Sequence, residues 1–506
     1  MNYILTIDCG TSSLKAILFD IQGQIIASSL KYYSFETPFL GAIEIEPDIL
    51  WKAAVESIKD LTDKSYINGK KIKAIIISAQ GSTFICLDKN NNEITKAYTW
   101  LDNRAFKEAG FIKSEFGIKE IYEKTGEQEV FAGSSSALLL WLKKRKKSIF
   151  KEIRKIVYVE DYLIYKLSKI FATEISLLSA GVIYDIIEKK WWHDLLKYVG
   201  VNEEYFSNVF EPGSIVSDID PKVASLLGVG NDVIIITGAL DQAAGALGVG
   251  NIKKGIISEA TGSSLAIVAS TGLHPVKDPK MRIPFYYHAI PNNYFLLPWC
   301  PTAGILLKWY KDNFYSNDSC SDSVKLFREI DENVSRIPCG SEGLVLLPYF
   351  SGSGTPELNS CAKGVFYGLN LKHNKNHFAR AIFESVGYVI RENIEVLEDL
   401  KIDVKEIRSL GGGSKSRIWN QIKADITNKK IQTFKVLNAA NYGVFILAAV
   451  SLGFYSTIED AVFNLIKNDE KILPQEHTID VYNRYYKLYK QLGKSLKKVY
   501  KEFNYS

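Results

Sequence analysis

Asp241 stands where the run Ile234-Ile235-Ile236-Thr237 gives way through Gly238-Ala239-Leu240 to the small-residue stretch Gln242-Ala243-Ala244-Gly245-Ala246-Leu247-Gly248. The β-branched run predicts a buried strand, the glycine breaks it, and the small residues predict a close-packed helix. A carboxylate at such a turn points out of the end of a sheet, fixed by rigid elements while its oxygens face a cleft, which suits a general base. The same position suits a helix N-cap, so this segment alone supports both roles.

Asp8-Cys9-Gly10-Thr11-Ser12-Ser13-Leu14-Lys15 holds a second set of reactive groups. Gly10 lets backbone approach an anion, the hydroxyls of Thr11 and Ser12 and successive N–H groups can donate to phosphate oxygens, and Lys15 adds positive charge. Asp8 at the preceding strand end can hold a hydrated magnesium ion, a metal that takes one or two carboxylates plus phosphate oxygens. The competing account is a hairpin turn whose hydroxyls satisfy their own backbone, and no Walker A pattern occurs here. Gly411-Gly412-Gly413-Ser414-Lys415-Ser416, between a predicted strand and helix, is a further anion or nucleotide candidate through its exposed N–H groups and the helix N-terminus. Gln80-Gly81 and Trp100-Leu101-Asp102-Asn103-Arg104 suit a polyhydroxylated ligand, an indole covering C–H faces while polar groups orient hydroxyls. The alternatives are core packing for Trp100 and an i,i+2 pair for Asp102 and Arg104.

The elements that must position these groups alternate. Strands are predicted at 3–8, 14–20 and 24–31, an amphipathic helix follows Pro47, and a strand at 72–78 ends at Ala79-Gln80-Gly81. Later come a strand at 344–347, a long helix over 377–400, a strand at 407–410, a helix from Arg417 to about 427, and an Ala/Leu-rich helix over 439–452 that is apolar on most sides. This is an α/β pattern with covered sheets. Gly10-Thr11-Ser12-Ser13-Leu14-Lys15-Ala16-Ile17 recurs in outline as Gly262-Ser263-Ser264-Leu265-Ala266-Ile267, with Asp8 and Glu259 upstream. The repeat suggests two domains from a duplicated core, each with one phosphate-gripping hairpin facing a common cleft.

At 506 residues the chain exceeds one usual hydrophobic core. With 46% apolar and 24% charged residues it is neither disordered nor fibrous. A net charge of +5 is small, and the basic stretches at 143–147 and 487–501 are expected to be solvated helix faces, so no nucleic-acid partner is expected. The six cysteines lack metal-ligand spacing and are expected to be reduced thiols of a cytoplasmic protein. No segment is long and apolar enough for a membrane partner. A hinge is expected among Gly248, Gly250 and Gly255, and a homodimer is left open.

Taken in order, these motifs resemble the FGGY family of carbohydrate kinases. The resemblance rests on Asp8-Cys9-Gly10-Thr11-Ser12-Ser13; on Thr237-Gly238-Ala239-Leu240-Asp241-Gln242 and the small residues after it; on Tyr349-Phe350-Ser351-Gly352 with Thr355-Pro356; on Gly364-Val365-Phe366-Tyr367-Gly368-Leu369; and on Gly411-Gly412-Gly413-Ser414-Lys415-Ser416 with Trp419. It implies the two-domain actin-like (ribonuclease H-like) ATPase fold with an interdomain cleft, a sugar-binding and catalytic domain over 1–248 and a nucleotide-binding domain over 249–506. It implies ATP and Mg²⁺, with Asp241 as catalytic base and Asp8 beside it at the metal. Gly10, Thr11, Ser12 and Lys15 match the first phosphate loop, Gly262 and Ser263 the second, and Gly411, Gly412 and Ser416 the adenosine turn. Gln80, Gly81, Trp100, Asp102 and Gln242 fall where family members hold the sugar. Ala79-Gln80-Gly81 departs from the Met-His-Gly usual in xylulose kinases and from the Arg-Glu of glycerol kinases, so another ketose, a pentitol or a tetritol fits equally well. Two other functions share these motifs: an actin-fold ATPase acting as chaperone or activator, and a silent sugar sensor.

Overall fold

The computed structural model describes residues 2–65, 69–315, 323–435 and 438–502. Two sheets dominate. The first contains β1 (Tyr3–Cys9), β2 (Ser13–Asp20), β3 (Ile25–Tyr32), β4 (Ile72–Ala79), β5 (Ile215–Asp218) and β6 (Ile234–Leu240) in the order β5-β6-β4-β1-β2-β3. The second contains β7 (Ile256–Thr261), β8 (Leu265–Gly272), β9 (Phe285–Tyr287), β10 (Tyr294–Leu296), β11 (Trp299–Cys300), β12 (Glu406–Leu410), β13 (Lys430–Phe434) and β14 (Asn468–Ile472). Its order is β9-β10-β8-β7-β12-β13-β14, with β11 also paired to β8.

Strand directions carry the duplication further than the short sequence repeat could. In the first sheet β1 runs antiparallel to β2 and parallel to β4, β4 runs parallel to β6, and β6 runs antiparallel to β5. In the second, β7 runs antiparallel to β8 and parallel to β12, β12 runs parallel to β13, and β13 runs antiparallel to β14. The hairpins at Gly10 and Gly262 therefore occupy equivalent places. Strands buried on both faces explain the near-continuous apolar runs of β1, β4 and β6.

Helices cover the sheets: α1 (Pro47–Ser65), α2 (Asp241–Gly248), α3 (Gly304–Phe314), α4 (Lys375–Asp399), α5 (Arg417–Thr427), α6 (Ala439–Ser451) and α7 (Glu476–Glu502). The chain crosses between halves at α6, which follows the second sheet's strand β13 yet packs on β1 and β4 of the first. Phe19 stacks on Phe445 at 4.8 Å and meets Tyr442 edge-on. Where α6 crosses α2 the backbones touch. A Cβ at Gly443 would lie 1.9 Å from the Ala244 carbonyl oxygen, and one at Gly248 1.9 Å from that of Ala439, so only glycine permits this approach. Between α2 and β7, Gly250 and Gly255 take φ of +69° and +90°, the left-handed conformations a tight connection needs there. The described cysteines Cys9, Cys86, Cys300, Cys339 and Cys361 are free thiols, and Cys320 lies outside the described residues. No described helix is long and apolar enough to cross a membrane.

Candidate active site

The β1–β2 register sets Asp8 opposite Lys15, and the Gly10 N–H donates to the Ser13 carbonyl at 3.0 Å to close the turn. Asp8 Oδ1 is shut off from solvent and meets no protein partner. Burial pushes the Asp8 carboxyl up to about 6, with Ser78 and Lys15 pulling the other way. An ionised oxygen enclosed without a donor is unfavourable.

Asp241 opens α2, but the N-cap position belongs to Leu240. Asp241 Oδ1 accepts the N–H of the adjacent Gln242 at 2.8 Å. Burial first and the like charge of Asp8 second push its carboxyl up to about 7. Two carboxylates, both poised near neutral, thus share one end of the first sheet, where the strand ends and a helix N-terminus converge.

The cleft beside them, about 330 Å³, is lined by Asp8, Lys15, Asp241 and Gln242 from the first half and by Gly262 and Gly411, among others, from the second. Both hairpin regions and the glycine turn therefore reach one space. Lys15 donates through Nζ to Asn438 Oδ1 at the start of α6, and burial lowers its pKa. Asn441 donates to the Lys15 carbonyl at 3.1 Å and to the Thr6 hydroxyl at 3.0 Å. No sequence motif points to Asn438 or Asn441, because nothing local ties a helix start to a hairpin more than four hundred residues away.

The second hairpin differs at its base. Glu259 and Lys423 form a fully buried ion pair at 2.7 Å, and the hydroxyls of Thr261 and Ser409 also donate to Glu259. Its charge is neutralised inside the protein, so of the two upstream acids only Asp8 keeps an oxygen without a protein partner. Gly262, Ser263 and Ser264 are exposed at the tip, and the Gly304 N–H at the start of α3 donates to the Gly262 carbonyl at 2.8 Å. The Gly411 turn lies over Thr261. A Cβ at Gly413 would be 2.6 Å from the Thr261 Cβ, and Gly411 has φ +79°. Gly412 is exposed, whereas the Ser416 hydroxyl caps α5 by accepting the Trp419 N–H and donates to Asp331 at 2.9 Å. The expected adenosine contact from Ser416 thus meets a hydroxyl already engaged within the protein.

On the sugar side, Trp100 Nε1 donates to the Thr11 hydroxyl at 3.0 Å, which donates to Gln80 Oε1 at 3.0 Å. Gln80 Nε2 in turn donates to the Gly10 carbonyl at 3.2 Å. Thr11, expected on phosphate, is instead the link between the first hairpin and the pair Gln80 and Trp100, while the Ser12 side chain is exposed. Trp100 keeps 41% of its surface open, as a stacking face requires. Gly81 is wedged against Ala180 and Leu240, its absent Cβ leaving only 2.7 Å to the Ala180 Cβ. Asp102 is fully enclosed. It accepts the Ile43 N–H at 2.8 Å and pairs with Arg104, which is stacked among Phe39, Tyr98 and Trp141. It braces the loop bearing Trp100 and has no oxygen left for a ligand, a correction that the i,i+2 spacing with Arg104 could have suggested. Gly133 packs on the Trp100 carbonyl, and the segment leading to it holds Gln128, buried with neither amide atom partnered.

Residues 3–248 match the FGGY family of carbohydrate kinases, N-terminal domain, and residues 260–452 match its C-terminal domain. The chain is 29% identical over 499 residues to a xylulose kinase of Staphylococcus epidermidis, covering 98% of this chain and 97% of that one. It is 27% identical over 507 residues to a gluconokinase of Bacillus subtilis, covering 99% and 97%. Among solved structures it is similar to a gluconate kinase from Lactobacillus acidophilus (TM-score 0.91, 27% identity, 99% of each chain). A Plasmodium falciparum glycerol kinase with ADP shares the fold (TM-score 0.86, 21% identity, 98% of each chain). With both domains matched in order along nearly its whole length, the chain belongs to the FGGY family of carbohydrate kinases and has that family's two-domain, actin-like fold.

Proposed function

We propose that this carbohydrate kinase transfers the γ-phosphoryl group of ATP to a hydroxyl of a small neutral sugar or polyol, with Asp241 as the general base. The observation that carries this reading is that Asp241 lines the same cleft as Asp8, Lys15 and the glycine turns of both halves. A carboxylate pushed up to about 7 is matched to taking a proton from an alcohol near neutral pH. Lys15 supplies positive charge in the cleft, beside the exposed turns at 262–264 and 411–412, and little covalent work is asked of the protein. The donor set fits Mg²⁺: the unpartnered Asp8 oxygen and the nearby Asp241 are the one or two carboxylates that metal accepts. When bound, the ion would neutralise phosphate charge. We assign residues 1–248 to sugar and base and 249–506 to nucleotide, with α6 returning to the first sheet.

The sugar side argues for a neutral substrate. An aldonate carboxylate needs a cation, and the arginine on the Trp100 loop, Arg104, is closed off by Asp102 and Glu44. Trp100, Gln80 and Gln242 suit hydroxyls and C–H faces. A coupled ATP-consumption screen across pentuloses, hexuloses, aldonates and short polyols tests this. Turnover is expected with a neutral pentulose or polyol, and turnover confined to aldonates would overturn the substrate assignment.

A further inference from the structure

A second cavity, about 630 Å³, lies wholly in the second half, between α4, α7 and the loop 353–362. One wall is a single face of α7. Lys490, Lys494, Lys497 and Lys501 line it at i, i+4, i+7 and i+11, the spacing that stacks side chains along one helix stripe. The lysine-rich tail expected to be a solvated face is therefore divided, with four of its lysines turned to a cavity. Lys490 pairs with Glu392 at 3.1 Å and Glu395 at 3.4 Å, and Lys497 with Glu357 at 2.5 Å. Lys494 and Lys501 have no ion pair among the described residues.

The facing wall is chemically different. It offers the carboxylates of Glu357 and Glu392, the Ser353 hydroxyl, and the phenols of Tyr349 and Tyr489, which hydrogen bond each other at 2.9 Å. Four lysines against two lining carboxylates leave a positive surplus for a phosphate dianion, while carboxylate and phenol oxygens are acceptors and donors for hydroxyls. The volume is that of a small-metabolite site. The floor also reaches the strand that leads to the cleft. Cys300 pairs across β11 and β8 with Leu265, next to the Gly262 hairpin. The cavity loop is fastened to the same strand, because Thr355 Oγ1 accepts the Trp299 N–H at 2.8 Å and the Thr355 N–H donates to the Trp299 carbonyl at 2.9 Å.

We propose that this cavity is a second, non-catalytic site for a phosphorylated polyhydroxy compound of sugar-phosphate size, and that its occupancy is transmitted through β11 to the Gly262 hairpin as a change in ATP affinity. Two sites linked through one shared strand have the physical connection that coupling requires. The test uses the full-length protein, ribose 5-phosphate as probe, and the double variant Lys494→Glu/Lys501→Glu, which alters two exposed lysines without ion-pair partners. Binding is followed calorimetrically and initial rates are measured against ATP, with sodium sulfate at equal ionic strength as control. The double variant should retain wild-type kcat and KM without the probe. Wild type should bind the probe and show a shifted KM for ATP, and the variant should lose binding by about tenfold or more together with the shift. A probe that occupied only the catalytic cleft would bind both proteins alike and overturn the proposal. Sulfate reproducing the effect would reduce it to a general ion response, and binding without any change in ATP dependence would overturn the coupling.

Discussion

Replacing Asp241 with asparagine keeps shape and volume but removes the ionisable group, and the surroundings of that group set the size of the effect. Burial and the neighbouring Asp8 raise the Asp241 pKa from 3.8 to about 7, so holding this carboxylate ionised in the folded state costs up to about 4 kcal/mol. The sign is fixed by the direction. Well below pH 3.8 the group is protonated in both folded and unfolded chains and the penalty is absent. It grows as pH rises and is complete above about pH 7. Asp241→Asn should therefore be about as stable as the wild type at pH 4 and more stable at pH 8 in metal-free buffer, by up to about 4 kcal/mol. If Asp241 is the base, the same variant should lose about two to four orders of magnitude in kcat while binding nucleotide nearly normally. Urea unfolding at the two pH values, steady-state kinetics and nucleotide titration together read all three quantities. Near-wild-type turnover would refute the role of Asp241, and a variant less stable than wild type at pH 8 would refute the electrostatic account of its environment.

Other consequences are open to measurement. Because the base works ionised, kcat/KM should fall as pH drops through about 7, and the residual activity of Asp8→Asn should show that limb displaced to lower pH, since the Asp8 charge helps to raise Asp241; an unmoved limb would argue against their coupling. Thr11→Val breaks the bridge from Trp100 to Gln80 and should raise KM for the sugar more than KM for ATP, whereas a dominant effect on ATP would return Thr11 to the phosphate loop. Gly443→Ala drives a methyl into the Ala244 carbonyl and should lower stability by about 1–3 kcal/mol, read as a shifted urea midpoint at unchanged slope. Glu259→Gln leaves Lys423 charged and enclosed and should destabilise by about 3–5 kcal/mol, although the residue lies outside the cleft lining.

The sheets and the place of Asp241 at a strand-to-helix turn were legible in the chain because local rules write them. Near-continuous apolar runs locate β1, β4 and β6, and the strand-to-helix turn carries Asp241 out of the sheet wherever the rest of the molecule lies, although β6 runs on through Gly238, where the sequence had it break. The repeated hairpin was legible for the same reason, since a tight turn demands its own residues. Tertiary structure alone decided which groups remain open. Asp8 and Glu259 stand before similar turns, yet Lys423, brought in from 164 residues along the chain, silences one of them while the Asp8 oxygen stays unpartnered. Asp102 and Ser416 look like ligands in the sequence and are closed by Ile43 with Arg104 and by Trp419 with Asp331. The grip of Asn438 on Lys15 and the turning of four lysines of α7 toward one cavity depend on how distant helices pack. Secondary structure follows from neighbours along the chain, whereas the charge and hydrogen-bonding state of a side chain is set by whatever the fold places against it.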